Sequence, residues 1–158
     1  MTRSPSQTAA GRLLQEVLVA TLDLGLAVKH AHWNVYGAGF RDLHLHLDEI
    51  ADALGEHADA LAERAVTVGV SPDGRAQAIA AATPLAALAA GPIMVEQATA
   101  AIAARLEQVA ALAFLRLDEL DGLDPVGHDL VIGLVGLLEQ QRWMLLAEFS
   151  SSAPARPG

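Results

Sequence analysis

The chain has 158 residues, 53% of them hydrophobic and 4% aromatic, with no cysteine and a formal charge of −9 from ten Lys and Arg against nineteen Asp and Glu. That length suits one domain with a real core, and the absence of cysteine excludes a disulfide frame or a thiolate zinc site. The acidic balance repels nucleic acid and anionic membranes and suits cationic ligands.

Alanine and leucine outweigh β-branched residues, so the expected fold class is all-α. The opening MTRSPSQTAAG has no apolar leader region, and no run approaches the roughly 18 uninterrupted apolar residues of a membrane span; the expected setting is soluble and cytoplasmic. Apolar positions then recur at three- and four-residue spacing over about residues 6–33, 41–67, 92–118 and 125–149, which predicts four long helices. Asn34-Val35-Tyr36-Gly37-Ala38-Gly39 separates the first two. Gly122, with Asp124 as N-cap and Pro125 as first helical residue, separates the last two. Both links are short, so both pairs should be antiparallel hairpins. Between the second and third helices Gly69 to Pro92 is long enough for a full-height crossover, with a short Ala-rich element near Ala76 to Ala82. The expected organisation is a tail at 1–5, a bundle over 6–149 and a tail at 150–158.

Five of the six histidines fall in HAHWNVYGAGFRDLHLHLDEIADALGEHADALAER, residues 30–64. On a helical wheel with His44 at zero, Asp48, Asp59 and Glu63 fall at roughly 40°, 60° and 100°, on one face. Leu43, Leu47, Ile50, Leu54, Leu61 and Ala65 form a separate stripe at about 240–320°, the side expected to face the core. Ala51, Gly55 and Ala62 lie among the acids and are small enough for another helix to approach. His44/Asp48 and Asp59/Glu63 are each an i, i+4 pair, but the pairs stand some 22 Å apart along one helix, too far for a common ion. If two copies cross antiparallel about a two-fold axis near Leu54 and Gly55, His44/Asp48 of one faces Asp59/Glu63 of the other, twice. His32, before the glycine break, can add a second imidazole. Two imidazoles and three carboxylates suit Fe(II), with Zn or Mn able to substitute. His30, His46 and His57 lie off that face and read as packing or surface residues, and Trp33 and Trp143 as core or interface aromatics. Asp52 and Glu56 read as surface charge.

KHAHWNVYGAGFRDLHLHLDE, followed by HADALAERAVTVGVSPDG and the late LLEQQRWML, resembles the Dps family, the miniferritins, over nearly the whole chain. The resemblance implies a ferritin-like four-helix bundle whose long crossover carries a short extra helix, assembled as a hollow homododecamer. It implies oxidation of Fe(II), preferentially by hydrogen peroxide, at two-fold-shared di-iron sites, and storage of the ferric mineral, protecting the cell and its DNA from oxidative damage. The family's ferroxidase ligands match His32, His44 and Asp48 from one chain with Asp59 and Glu63 from the other; catalytic and metal-binding residues are thus the same five. Trp33, beside a ligand, is implied to intercept oxidising equivalents. Asp118, Asp121 and Asp129, in a stretch without Lys or Arg, match a region that lines three-fold iron-uptake pores in similar proteins. The family's usual Thr near the start of the last helix is Gly127 here, which leaves the local cap geometry open.

Three alternatives stand beside this reading. An ordinary ferritin site inside the bundle is disfavoured, because the chain has no Glu-x-x-His and the last two helices carry only His128. A DNA-compacting, nucleoid-associated structural protein needs clustered Lys and Arg, but the first eleven residues hold only Arg3 and the last nine only Arg156, so direct DNA binding is disfavoured. An assembly that stores iron without oxidising it quickly would keep the same ligands.

Overall fold

A computed structural model describes residues 5–149, in the order α1 (Pro5–Asn34), β1 (Val35–Tyr36), α2 (Phe40–Thr67), α3 (Ala76–Ala82), β2 (Ile93–Met94), α4 (Val95–Leu120) and α5 (Pro125–Phe149). The four long helices and the short one fall where the apolar spacing predicts them. The expected tails, with Arg3 and Arg156, lie outside the described residues except for Pro5, which opens α1.

The leucine stripe of α2 explains why the helices pack. Leu43, Leu47, Ile50, Leu54, Leu61 and Ala65 are all buried, and they meet Leu14, Leu18 and Leu24 of α1, Ile102 and Leu106 of α4, and Leu134 and Leu138 of α5 in one core. Each fully buried Leu or Ile contributes about 1.5–3 kcal/mol relative to exposure. Helices α1 and α2 pack as one pair and α4 and α5 as the other, with α1 against α4 and α2 against α5.

Two backbone features fix the topology. β1 and β2 form a two-residue parallel bridge, Val35 beside Ile93 and Tyr36 beside Met94, which sets the start of α4 next to the start of α2. The crossover therefore returns the full height of the bundle, giving up-down-down-up order. This bridge is an addition to the expected all-α fold, since two residues are too few to show strand alternation. Along the way Gln15 of α1 clasps the crossover at Asp73, donating to its carbonyl at 2.9 Å and accepting from its N–H at 2.8 Å. A Cβ at Gly11 would overlap Val70, so glycine permits the turn after α2 to lie against α1.

At the opposite hairpin Asp124 precedes Pro125 as predicted and is 2% exposed. Its carboxylate accepts from the N–H groups of Val126 and Gly127 and is gripped by the guanidinium of Arg64 at the end of α2, with Nε 3.0 Å from Oδ2 and a second contact from Nη2 to Oδ1. A Cβ at Gly127 would overlap Asp124 Oδ2. Glycine at 127 thus makes room for a cap that also receives an arginine, which settles the geometry left open by the missing Thr.

Helices α4 and α5 are each long and apolar enough, by length and composition alone, to cross a membrane. Their core sides pack against α1 and α2, while Phe114, Leu115 and Trp143 remain on the outside of the single protomer.

Candidate metal centre

The site starts from a tight reversal. Gly37 and Gly39 take positive φ, 114° and 77°, which lets the chain turn between α1 and α2 within a few residues. The turn closes through Phe40 N–H to the Gly37 carbonyl at 3.2 Å and Leu43 N–H to the Gly39 carbonyl at 3.1 Å. As a result the last turn of α1 faces the first turns of α2, and His32 meets His44.

Their rings stack with centroids 3.7 Å apart and planes 19° from parallel. His32 Nδ1 lies 2.8 Å from the His44 carbonyl, and His44 Nδ1 lies 3.0 Å from the His32 carbonyl. A carbonyl only accepts, so both Nδ1 atoms carry the proton and both Nε2 atoms present a lone pair. This is how proteins prepare imidazoles as metal ligands: the outer nitrogen fixes the tautomer and the ring orientation.

Asp48, one turn beyond His44, brings Oδ1 to 3.9 Å from His32 Nε2. The same oxygen accepts a 2.6 Å hydrogen bond from Lys29 Nζ. That bond, with the charge of Lys29, holds the Asp48 carboxyl below its ordinary value despite the opposing effect of desolvation. Asp48 is accordingly a carboxylate at neutral pH. Sequence reasoning passed over Lys29; it stands one helical turn before His32 on α1, and that spacing was its only signal.

Asp59 and Glu63 are exposed on the same helix as His44 and Asp48. Because α2 is unbroken across both pairs, they remain some 22 Å apart. The protomer therefore gathers His32, His44 and Asp48 and leaves Asp59 and Glu63 elsewhere; among the described residues no group of three His, Asp or Glu side chains is placed to hold a metal within one chain. A groove of about 420 Å³ between α1, α2 and α3, lined by Gly25, Lys29, Ala51, Leu54, Gly55 and Ala58, separates the two patches.

Trp33 is 70% exposed, with its ring centroid 5.8 Å from Lys29 Nζ. His46 is buried against α5, its Nε2 2.8 Å from Gln141 Oε1, while His30 on α1 is half-buried and reaches the Ala89 carbonyl at 3.1 Å. Asp118, Asp121 and Asp129 are exposed around the α4–α5 turn. Glu119 pairs with Arg116 at 2.6 Å, and Asp124 is closed off by Arg64.

The fold and the sequence match known proteins. The ferritin-like domain family matches residues 12–150. The DNA protection during starvation protein of Mycolicibacterium smegmatis is 33% identical over 140 residues, covering 89% of this chain and 76% of the relative. DNA protection during starvation protein 2 of Deinococcus radiodurans is 31% identical over 144 residues, covering 91% of this chain and 59% of the relative, so this chain spans little more than half of that protein. The structure of Dps from Microbacterium arborescens in the high iron form superposes with a TM-score of 0.87 at 30% identity, covering 93% of this chain and 97% of that one. An up-down-down-up bundle with this domain match is a ferritin-like protein. Within that class the chain belongs to the Dps family, the miniferritins.

Proposed function

We propose that this protein is a cytoplasmic ferroxidase and iron store. Two copies related by a two-fold axis build two sites, each taking His32, His44 and Asp48 from one copy and Asp59 and Glu63 from its partner, and six such pairs close a hollow homododecamer. Fe(II) is the substrate and the stored ferric mineral the product. The observation that carries this reading is the reciprocal anchoring of His32 and His44 beside Asp48, which orients two imidazole lone pairs at a patch that lacks enough carboxylate to complete a site alone. The missing carboxylates stand on the exposed face of the same helix, beyond a groove floored by Ala51, Gly55 and Ala58, where a second α2 can approach closely.

The chemistry follows from the donor set. Splitting hydrogen peroxide to two waters takes two electrons, and two Fe(II) ions in one site supply both, so no hydroxyl radical is released. Overall, two Fe(II), one peroxide and two waters give two FeOOH and four protons. The imidazoles hold Fe(II), and the carboxylates favour the higher charge of Fe(III). Trp33, exposed next to His32, is placed to take up an oxidising equivalent that escapes. Asp118, Asp121 and Asp129 supply negative potential for iron uptake at three-fold pores. Zn(II) or Mn(II) can occupy the same donors.

DNA is protected chemically rather than by coating. Of the eight Lys and Arg among the described residues, Lys29, Arg64, Arg75, Arg116 and Arg142 are each paired with a carboxylate, so little basic surface is left for phosphates.

The test is anaerobic Fe(II) loading of the assembled protein followed by rapid mixing with peroxide or with oxygen, with a spin trap present. Faster oxidation by peroxide, about two Fe(II) per peroxide, and no trapped hydroxyl radical are expected. Oxidation no faster than in buffer would overturn the ferroxidase assignment.

A further inference from the structure

Glu63 is the proposed ligand with the least helix around it. It is exposed, four residues before α2 ends at Thr67, and beyond it only Ala65 and Val68 are buried, so packing alone gives the last turn little hold. Helix ends fray because their last carbonyls lack helical donors. Arg64, the residue after Glu63, supplies what the helix lacks. Its guanidinium reaches the start of α5, where Nε lies 3.0 Å from Asp124 Oδ2 and Nη2 contacts Oδ1. Nη1 donates to Thr67 Oγ1 at 3.3 Å, and that hydroxyl donates back to the Arg64 carbonyl at 2.8 Å. The same carbonyl accepts from Val68 N–H at 3.0 Å. Gly69, at φ 86°, closes the end: its N–H reaches the Val66 carbonyl and Val70 N–H the Ala65 carbonyl, both at 2.8 Å. We propose that Arg64 is a positioning residue of the ferroxidase site: by tying the last turn of α2 to Asp124 it keeps Glu63 aimed at the metal position shared with a partner subunit. This rests on the shared-site reading above.

The geometry of the tie makes it act on Glu63. The fork engages both carboxylate oxygens, so it fixes the roll of α2 about its axis as well as its distance from α5. Glu63 stands one residue from Arg64, about 100° round the helix, so a roll set at Arg64 is a direction set at Glu63. The anchor does not give: Asp124 is 2% exposed and already accepts from the N–H groups of Val126 and Gly127. With Nε and Nη2 both on Asp124, the guanidinium is also kept from pairing with Glu63 itself. A site shared between chains depends on such a tie, because its ligands meet only as accurately as each protomer holds its own, and a ligand set tolerates about half an ångström of error.

The experiment is a double-mutant cycle read by calorimetric Zn(II) titration of the assembled protein, without turnover. Glu63→Ala should weaken Zn(II) binding, and Arg64→Ala should weaken it about tenfold when Glu63 is present. Because Arg64 acts through Glu63, adding Arg64→Ala to Glu63→Ala should cost nothing further, whereas a general loosening of the bundle would cost as much in either background. Arg64→Lys keeps the charge but not the fork and should recover only part of the loss. Asp124→Asn preserves the size of the side chain and the cap, and carries the same cycle if Arg64→Ala does not assemble. Equal losses with and without Glu63, or no loss in either background, would overturn the role of Arg64 while leaving the site intact. Zn(II) binding that Glu63→Ala leaves undiminished would instead overturn the shared-site reading, and the role of Arg64 with it.

Discussion

His32 and His44 hold each other by a pair of reciprocal hydrogen bonds, each ring's Nδ1 reaching the other residue's carbonyl, at 2.8 and 3.0 Å. Neither ring is oriented by a carboxylate, as metal-binding imidazoles often are; the backbone of the opposite helix does the work. The geometry of the proposed metal centre is therefore tied to the packing of α1 on α2. His44→Ala should remove one ligand and one of the bonds orienting the other, lowering Zn(II) affinity and peroxide-driven Fe(II) oxidation by about 10–100-fold. Circular dichroism should show the helices unchanged, because the ring lies at the edge of the core stripe rather than within it. Wild-type Zn(II) affinity in that variant would contradict His44 as a ligand.

Arg64 and Asp124 govern stability at the other end of the bundle. Burial pushes the Asp124 carboxyl up, but the Arg64 guanidinium and the N–H groups of Gly127 and Val126 outweigh it and hold the group below its ordinary value. A depressed folded-state value stabilises the native protein fully at neutral pH. That stabilisation is lost as pH falls from the unfolded value of about 3.8 through the folded one. Arg64→Ala strands a buried carboxylate and should cost about 3 kcal/mol, at the low end for a broken buried pair because the guanidinium is partly solvated. Urea unfolding at pH 7 and at about pH 3 checks both points: the gap between wild type and variant should narrow once the pH falls below the unfolded value.

At the α4–α5 turn, Asp121→Asn combined with Asp129→Asn should slow Fe(II) uptake at low iron and leave the assembly and the Zn(II) affinity of the proposed ferroxidase sites unchanged. Neither carboxylate touches the His32–His44 patch, so the effect should appear as a rate and shrink as salt screens the attraction. Stopped-flow uptake at two ionic strengths measures it; equal rates would remove the pore role.

Duplex DNA should not be retarded by the assembled protein near pH 7.5 at physiological salt. The formal charge of −9 per chain and the paired state of most described Lys and Arg both oppose phosphate binding. A salt-sensitive gel shift would contradict this and direct attention to Arg3, Arg12 and Arg156.

Much of this molecule was legible in its sequence because helices write their packing into a local period. The stripe Leu43, Leu47, Ile50, Leu54, Leu61 and Ala65 is buried as the wheel required, and His44 with Asp48 lies on the separate face. Asp124 and Pro125 were readable as a cap and a start. The Lys29–Asp48 pair spans 19 positions and Arg64–Asp124 spans 60, and both depend on which helices lie side by side. His46 and Gln141, 95 positions apart, meet for the same reason. Gly127 read as a departure from the family until the packed turn showed what a Cβ would strike.

The shared site can be tested by mixing two inactive proteins. Asp48→Ala and Asp59→Ala should each be nearly inactive as homo-oligomers, since every site loses one ligand. In a two-fold pair joining one chain of each kind, one site carries both lesions. The other takes Asp48 from the Asp59→Ala chain and Asp59 from the Asp48→Ala chain and is whole. Random co-assembly makes about half of the pairs mixed, each with one good site of two, so roughly a quarter of wild-type peroxide-driven Fe(II) oxidation should return after dissociation, mixing and reassembly. Native mass spectrometry confirms that mixed particles have formed. If they have, and oxidation stays at the level of the separate variants, then His32, His44, Asp48, Asp59 and Glu63 do not form a site between chains.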